Sequence, residues 1–372
     1  MTSTFDNLPI SPLKACGWLV PCRLFLLLLF AFGWLGLQAQ EGEHSRRFPP
    51  MDSLHPDVHD PVMARGEDGR YYIFSTGMGV SVMSSSDMKA WRREPAVLTP
   101  IPRWAMDTVP GYRGHTWAPD ISRHRGLWHL YYSCSTFGKN GSAIGLAVNR
   151  TLDPESPHFK WEDRGMVIAS HRHRDNWNAI DPNLIVDRRG RPYLTFGSFW
   201  DGIQLVRLSK RDFRTPISAP TTIARRTGRR LTLAEIDDET KYTIEGSDTV
   251  EAGENAIEAP FIYRRGRYYY LFVSLDYCCR GERSTYNTVY GRSRHIAGPY
   301  LDRKGWPLAT GGGTLLFGPD EENYGIGHCA VYDLDGQTWF ISHAYEKAAS
   351  GRAKLFVRPL RFDRDGWIEV EN

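Results

Sequence analysis

The sequence lacks an excess of charge of either sign. Its 46 Lys and Arg residues are almost balanced by 43 Asp and Glu residues, which gives a formal net charge of +3 over 372 residues. The densest basic cluster, RRTGRR at 225–230, is short and is typical of a solvated loop. The charge distribution therefore predicts no nucleic-acid partner.

Cysteines are also few. Cys134, Cys278, Cys279 and Cys329 are the four that follow the N-terminal segment, and their spacing fits neither a disulfide framework nor a zinc site. Cys278 and Cys279 are adjacent, which allows either a vicinal disulfide or two packed thiols.

Long apolar runs are absent except for one, LFLLLLFAFGWLGLQA at 24–39, which follows Arg23 and precedes a polar stretch. This pattern predicts a signal peptide over 1–39, cleaved after Ala39, and then a linker over 40–54. The alternative is an uncleaved membrane anchor, although the run is short for a spanning helix. We expect a secreted or periplasmic protein that has no membrane association once the leader is removed.

Helical periodicity is scarce, and TLAEIDDETKY at 232–242 is the one stretch that favours a helical turn. A repeat is present instead. Each copy has a short apolar strand, a polar turn that contains glycine, and an aromatic or β-branched strand. The copies recur every 60 to 80 residues or so, with matching positions at Pro61, Pro119, Pro182, Pro260 and Cys329.

Five such units, each long enough for about four strands, predict an all-β, five-bladed β-propeller over 55–372. A β-sandwich with a second domain would account for the strands but not for the repeat. The widest interval contains the polar segment 221–255, which we interpret as an inserted loop.

Acidic residues recur at the starts of the predicted first strands. Asp60 and Asp181 occupy the same position of the repeat, Glu258 lies one residue before it, and His328 holds it in the fifth unit. First strands lie innermost in a propeller, so these side chains should meet at one mouth of the central channel. Buried like charges are costly, which makes this set a candidate site.

Several segments resemble glycoside hydrolase family 43, and most closely its endo-1,5-α-L-arabinanases. The resemblance extends from about His55 to Trp367 and agrees with the propeller. The segments, in chain order, are VHDP, WAPDI, NAIDPNL, FGSFWDGI, AIEAPFIY, YYYLFVS, CC and GIGHCAVY.

The resemblance implies an inverting hydrolase. Asp60 would be the general base that activates water, and Glu258 the general acid that protonates the leaving oxygen. Asp181 would raise the pKa of the acid and orient it. His328 would face a calcium ion, with water as most of the metal's shell because Ca²⁺ prefers oxygen ligands.

Sugar-binding groups are predicted from the same segments. Trp117, Phe137 and Trp200 would stack on a furanose ring, and Asn178 and Ser198 would form hydrogen bonds with it.

The predicted function is cleavage of internal α-1,5-L-arabinofuranosyl bonds in arabinan or arabino-oligosaccharides. The alternatives are an exo-acting α-L-arabinofuranosidase or β-xylosidase of the same family, and a non-catalytic carbohydrate-binding propeller. A β-fructosidase-like hydrolase is disfavoured because the sequence contains neither an RDP nor an EC segment.

Overall fold

Five antiparallel β-sheets form the blades of a propeller, which confirms the predicted fold. The coordinates are a computed structural model that describes residues 51–227 and 255–369. The strands of each sheet follow one another along the chain, except that the short β3 joins the second sheet.

The strands, sheet by sheet, are β1 (Val62–Arg65), β2 (Tyr71–Ser75), β4 (Ser81–Ser85) and β5 (Arg92–Glu94); β3 (Gly77–Met78), β6 (His115–His124), β7 (Leu127–Cys134), β8 (Ser142–Asn149) and β9 (Glu162–Ser170); β10 (Asn183–Val186), β11 (Pro192–Phe196), β12 (Ile203–Arg207) and β13 (Thr221–Ala224); β14 (Ile257–Arg265), β15 (Tyr268–Leu275), β16 (Asn287–Ser293) and β17 (Thr314–Phe317); β18 (Asn323–Leu334), β19 (Gln337–Glu346), β20 (Arg352–Phe362) and β21 (Ile368–Glu369). The helical elements described are α1 (Arg103–Thr108) and two 3₁₀ turns, Gly281–Arg283 and Leu308–Thr310.

The first two strands of every blade form the hairpin that the repeat predicts. In each hairpin the turn contains a glycine with φ between 53° and 80°, a left-handed conformation that residues with a Cβ adopt at a cost. These glycines are Gly69, Gly126, Gly190, Gly266 and Gly336.

The start of each innermost strand has an unusual backbone. The residue before the matching Pro or Cys has φ between 41° and 56° in all five blades, although none of these residues is glycine. In three blades the strand pairing also shifts register here, as in a β-bulge, which changes the direction of a side chain. The five residues are Asp60, Ala118, Asp181, Ala259 and His328.

Hydrogen bonds from these five residues connect neighbouring blades. In four of them the backbone N–H donates to a side chain at the end of the second strand of the preceding blade: Ala118 to Thr76 Oγ1 (2.9 Å), Asp181 to Ser133 Oγ (3.0 Å), His328 to Ser274 Oγ (2.8 Å), and Asp60 to His343 Nδ1 (3.1 Å). The corresponding residue of the third blade is Gly197, which has no side chain. The N–H of Ala259 instead donates to Asp181 Oδ2 at 3.1 Å.

The core lies between the blades and is rich in aromatic residues. Tyr72, Tyr132, Phe272 and Phe340 are among the largest side chains that are fully buried. The abundance of Tyr and Phe in the sequence is therefore largely a packing requirement, as expected for residues with high β-propensity.

The predicted start of the inserted loop over 221–255 is wrong. Residues 221–224 form β13, the outermost strand of the third blade, where Ile223 and Ala224 are buried. The strand is short, and Arg225 and Arg226 directly after it are typical of a solvated loop. Residues 228–254, the predicted helical turn within them, and the predicted signal peptide over 1–39 lie outside the described residues.

Candidate active site

One cavity of about 430 Å³ contains every residue that the sequence predicted for the site. The lining comes from loops and strand starts of all five blades. The predicted residues in it are Asp60, Trp117, Phe137, Asn178, Asp181, Ser198, Trp200, Glu258 and His328. The repeat thus brings together groups that are distant in sequence, while the individual roles stay predictions.

Asp60 is held between two imidazoles. Its Oδ1 lies 2.8 Å from His59 Nδ1 and 3.0 Å from His328 Nδ1, and its Oδ2 accepts a 2.5 Å hydrogen bond from the Thr76 hydroxyl. Burial alone would raise the pKa of Asp60, but attraction to His328 and His59 and their hydrogen bonds hold it well below its usual value. Asp60 is therefore ionised and suited to accept a proton.

The pKa of Glu258 is shifted in the opposite direction from that of Asp60. The residue is buried, and burial raises the pKa of Glu258 above its usual value, although a 2.9 Å hydrogen bond from Ser198 Oγ to Oε2 opposes the rise. A carboxyl group with a raised pKa keeps its proton to higher pH than an exposed glutamate does, which suits it to act as an acid.

Asp181 interacts electrostatically with both of these groups. Burial is the largest cause that raises the pKa of Asp181 to about 8; His328 opposes the rise, and repulsion from the ionised forms of Glu258 and Asp60 adds to it. Its Oδ2 accepts the N–H of Ala259, the residue after Glu258. Asp181 is thus attached to the backbone that carries Glu258, which agrees with a role in orienting it.

His328 contributes a positive charge beside the three carboxyl groups. Burial would lower the pKa of its imidazole, but the neighbouring Asp60, followed by Asp181 and Glu258, raises the pKa to about 9. The ring is therefore cationic and forms an ion pair with Asp60.

The predicted sugar-binding residues differ in exposure. Phe137 is 52% exposed, whereas Trp200 is buried and Trp117 is half-buried, with its indole N–H donating to His115 Nδ1 at 2.9 Å. Asn178 is buried, and its Oδ1 has no hydrogen-bond partner in the described part of the chain. A buried carbonyl oxygen without a partner is costly, so a ligand hydroxyl that donates to Asn178 would be favourable.

Three residues close to Asp60 were not predicted. His59 and Thr76 contact Asp60 directly, and the ring of His343 stacks on His59 with centroids 4.0 Å apart. His59 could have been found because it precedes Asp60 in VHDP. His343 could have been found by aligning the ends of the second strands, where Thr76, Ser133 and Ser274 also lie.

The potential metal ligands do not centre on His328. Within 51–227 and 255–369, the group whose ligand atoms lie within 4.8 Å of one another consists of His59, Asp60 and His343. Two imidazoles and one carboxylate are a poor donor set for Ca²⁺. Some of these atoms already have partners, since His59 Nδ1 lies 2.8 Å from Asp60 Oδ1 and His343 Nδ1 accepts the backbone N–H of Asp60. A calcium ion at His328 would therefore take most of its ligands from water.

The arrangement provides a carboxylate with a lowered pKa, a carboxyl group with a raised pKa and a third carboxyl group bonded to the backbone beside it, in a cavity with aromatic walls. Comparison with known families agrees with it. The family model described as Glycosyl hydrolases family 43 matches residues 54–368. The chain belongs to this family. The resemblance drawn from the short segments is thereby confirmed, and the protein is a glycoside hydrolase.

Named relatives of this family 43 hydrolase differ in their mode of action. An extracellular exo-α-(1→5)-L-arabinofuranosidase, ArbA, of Cellvibrio japonicus is 45% identical over 315 residues, which cover 85% of this chain and 86% of the relative. An extracellular endo-α-(1→5)-L-arabinanase of Bacillus subtilis is 37% identical over 314 residues, covering 83% and 86%. The crystal structure of an exo-1,5-α-L-arabinanase from a bovine ruminal metagenomic library has a TM-score of 0.79 and 56% identity, covering 88% of this chain and all of that one.

Proposed function

We propose that this family 43 hydrolase cleaves α-1,5-L-arabinofuranosyl bonds of arabinan or arabino-oligosaccharides with inversion at the anomeric carbon. The observation that carries the proposal is the pair of carboxyl groups from the first and fourth blades in one cavity. Asp60 lies between two imidazoles, whereas Glu258 contacts a hydroxyl group. The names of the relatives support arabinan as the substrate.

In the proposed reaction Asp60 accepts a proton from a water molecule as the water oxygen attacks the anomeric carbon. The bond from that carbon to the glycosidic oxygen breaks, and Glu258 gives its proton to the departing oxygen. Asp181 orients Glu258 through the backbone of Ala259. The products are two sugars with free hydroxyl groups, and one water is consumed.

For the mode of action we propose removal of short products from a chain end. The relatives named as exo-acting are 45% and 56% identical, whereas the endo-acting relative is 37% identical. Internal cleavage, which the sequence segments favoured, is the second candidate because that endo-acting relative also covers most of the chain.

We expect that the first products from linear 1,5-arabinan are short and of one length, while the polymer shortens slowly. Chain-end attack removes few units from each polymer, so viscosity falls little per bond cleaved. The measurement is chromatography of the products in the first minutes, with viscosity recorded in parallel and birchwood xylan as a control substrate. A ladder of mixed oligosaccharides with a rapid fall in viscosity would establish internal cleavage instead.

We further propose that a calcium ion is held near the active centre by His328 through Nε2, since Nδ1 pairs with Asp60. Because the imidazole is cationic without the ion, binding of Ca²⁺ at Nε2 would release the Nε2 proton. The ion would add positive charge beside the carboxyl cluster. The residues support a site whose remaining ligands are water molecules, because the nearby His59, Asp60 and His343 side chains already have hydrogen-bond partners within the protein.

Removal of divalent ions is expected to lower the melting temperature by a few degrees and the activity by at least about tenfold, with both restored by Ca²⁺ and not by Zn²⁺. The readouts are calcium content by elemental analysis, differential scanning calorimetry and initial rates. His328→Ala should lose the bound calcium. One calcium per chain in the His328→Ala variant, or full activity in metal-free protein, would contradict the assignment.

We propose that the chain is exported by its N-terminal segment, as its sequence pattern predicts. Both curated relatives described above are named as extracellular proteins. Among residues 51–227 and 255–369 there is also no helix with the length and hydropathy needed to cross a membrane.

A further inference from the structure

The loop between β15 and β16 places two adjacent cysteines in the wall of the active cavity. Cys278 and Cys279 are joined by a disulfide bond, and both line the cavity together with Tyr277. Cys279 is exposed and Cys278 is half-buried. The other two described cysteines, Cys134 and Cys329, are buried free thiols.

Hydrogen bonds connect this disulfide to Asp60. The N–H of Cys279 donates to the Tyr345 hydroxyl at 2.7 Å, and that hydroxyl lies 2.8 Å from His59 Nε2. The opposite nitrogen of His59, Nδ1, lies 2.8 Å from Asp60 Oδ1. The position of the disulfide is thus fixed relative to the carboxylate that is proposed to activate water.

Aromatic and cationic side chains support the other side of the loop. Tyr277 packs on Phe199 with ring centroids 6.1 Å apart, and the guanidinium of Arg280 lies over the Tyr277 ring at 3.9 Å from its centroid. The loop is held from both sides, so its apolar sulfur surface faces the cavity in one arrangement.

We propose that the Cys278–Cys279 disulfide is a contact surface for the sugar and helps to determine which sugar the site accepts. Divalent sulfur is polarisable and weakly hydrated, and it packs well against the C–H groups of a furanose ring. Two separate thiols in this loop would be free to rotate apart, and binding would then require ordering them. This inference rests on the proposed function, because it assigns the contact to the arabinofuranosyl substrate.

The first test measures whether the sugar shields the disulfide. The Glu258→Gln variant is used because it should bind arabino-oligosaccharide without cleaving it. A water-soluble phosphine converts the disulfide into two thiols and is itself oxidised to the phosphine oxide, with the oxygen taken from water. The rate is followed by alkylation of the new thiols and mass spectrometry, with arabinohexaose present, absent, or replaced by maltohexaose.

We expect arabinohexaose, and not maltohexaose, to slow the reduction by at least about fivefold when the site is saturated. Equal rates under all three conditions, with arabinohexaose binding confirmed by calorimetry, would overturn the inference and leave the proposed function intact. Absence of arabinohexaose binding would contradict the proposed function, and the inference with it.

The second test separates binding from chemistry. The double variant Cys278→Ala, Cys279→Ala should raise KM for arabino-oligosaccharides about tenfold and change kcat by less than about threefold. Reductant should have the same effect on the wild-type enzyme and no effect on the double variant. Cys134→Ala is the matched control, because it removes a buried thiol that does not line the cavity. An unchanged KM in a folded double variant that hydrolyses arabinan would overturn the inference alone.

Discussion

Replacing Asp60 by Asn is expected to lower kcat on linear arabinan by about 10³- to 10⁴-fold while the protein stays folded. The substitution keeps the size of the side chain but removes the charge that accepts a proton from water. Asp60 is contacted by His59, His328 and Thr76, which stabilise its charged form. Initial rates and a thermal melt measure the two properties separately.

A matched control comes from Asp120, another buried carboxyl group of the propeller. It accepts hydrogen bonds from the N–H of Leu184 at 2.8 Å and from Asn183 Nδ2 at 3.1 Å, and it does not line the active cavity. Asp120→Asn should therefore alter stability and keep kcat within about threefold of wild type. If Asp60→Asn retained a tenth or more of the wild-type kcat, Asp60 would not be the base.

Replacing Glu258 by Gln should lower kcat on arabinan by about 10²- to 10⁴-fold, and the loss should depend on the leaving group. A sugar alkoxide departs poorly without a proton, whereas a nitrophenolate needs little assistance. On an aryl α-L-arabinoside that the wild-type enzyme cleaves, the loss should therefore be less than about tenfold. Asp60→Asn should show a similar loss on both substrates, since attack by water is needed in either case.

The pH dependence of the wild-type enzyme offers a second readout for Glu258. Burial raises the pKa of Glu258, so the acid is protonated below that pKa and loses its proton as the pH rises through it. The kcat/KM on arabinan should fall on the alkaline side, whereas the fall on the aryl substrate, whose leaving group needs little assistance, should be smaller. If Glu258→Gln lost the same factor in kcat on arabinan and on the aryl substrate, Glu258 would not be the general acid.

The sequence could predict the propeller and the position of the site because one local feature repeats. In each blade one residue, just before the first strand or at a bulge within it, adopts positive φ, and in three blades this residue is Asp60, Asp181 or His328. The matching prolines and cysteine align these positions even though the intervals between blades vary. The geometry of the mouth of the channel then follows from the topology.

The network around Asp60 could not be predicted in the same way. His343 and Tyr345 belong to the second strand of the fifth blade, and only alignment with the other second strands distinguishes His343 from residues that pack the core. Their importance arises from closure of the ring, which places His343 beside Asp60 of the first blade. Such contacts depend on the whole propeller and not on a local pattern.

The bonded state of Cys278 and Cys279 was likewise open from the sequence. Adjacent cysteines can remain as thiols, and the choice depends on the backbone of the loop between β15 and β16. The boundary of the 221–255 segment was wrong for a similar reason, because β13 is short and becomes recognisable as a strand only through its pairing with β12.

The central claim is that Asp60 activates a water molecule while Glu258 protonates the leaving oxygen, in a single displacement. This mechanism needs room for water between the base and the sugar, which in inverting enzymes corresponds to carboxyl groups roughly 6.5 to 9.5 Å apart. The decisive measurement is proton NMR of the first product released from an α-1,5-linked arabino-oligosaccharide, recorded before the anomers equilibrate. The account predicts that the β-anomer appears first. Initial release of the α-anomer, or a glycosyl ester trapped on Asp60, would contradict it.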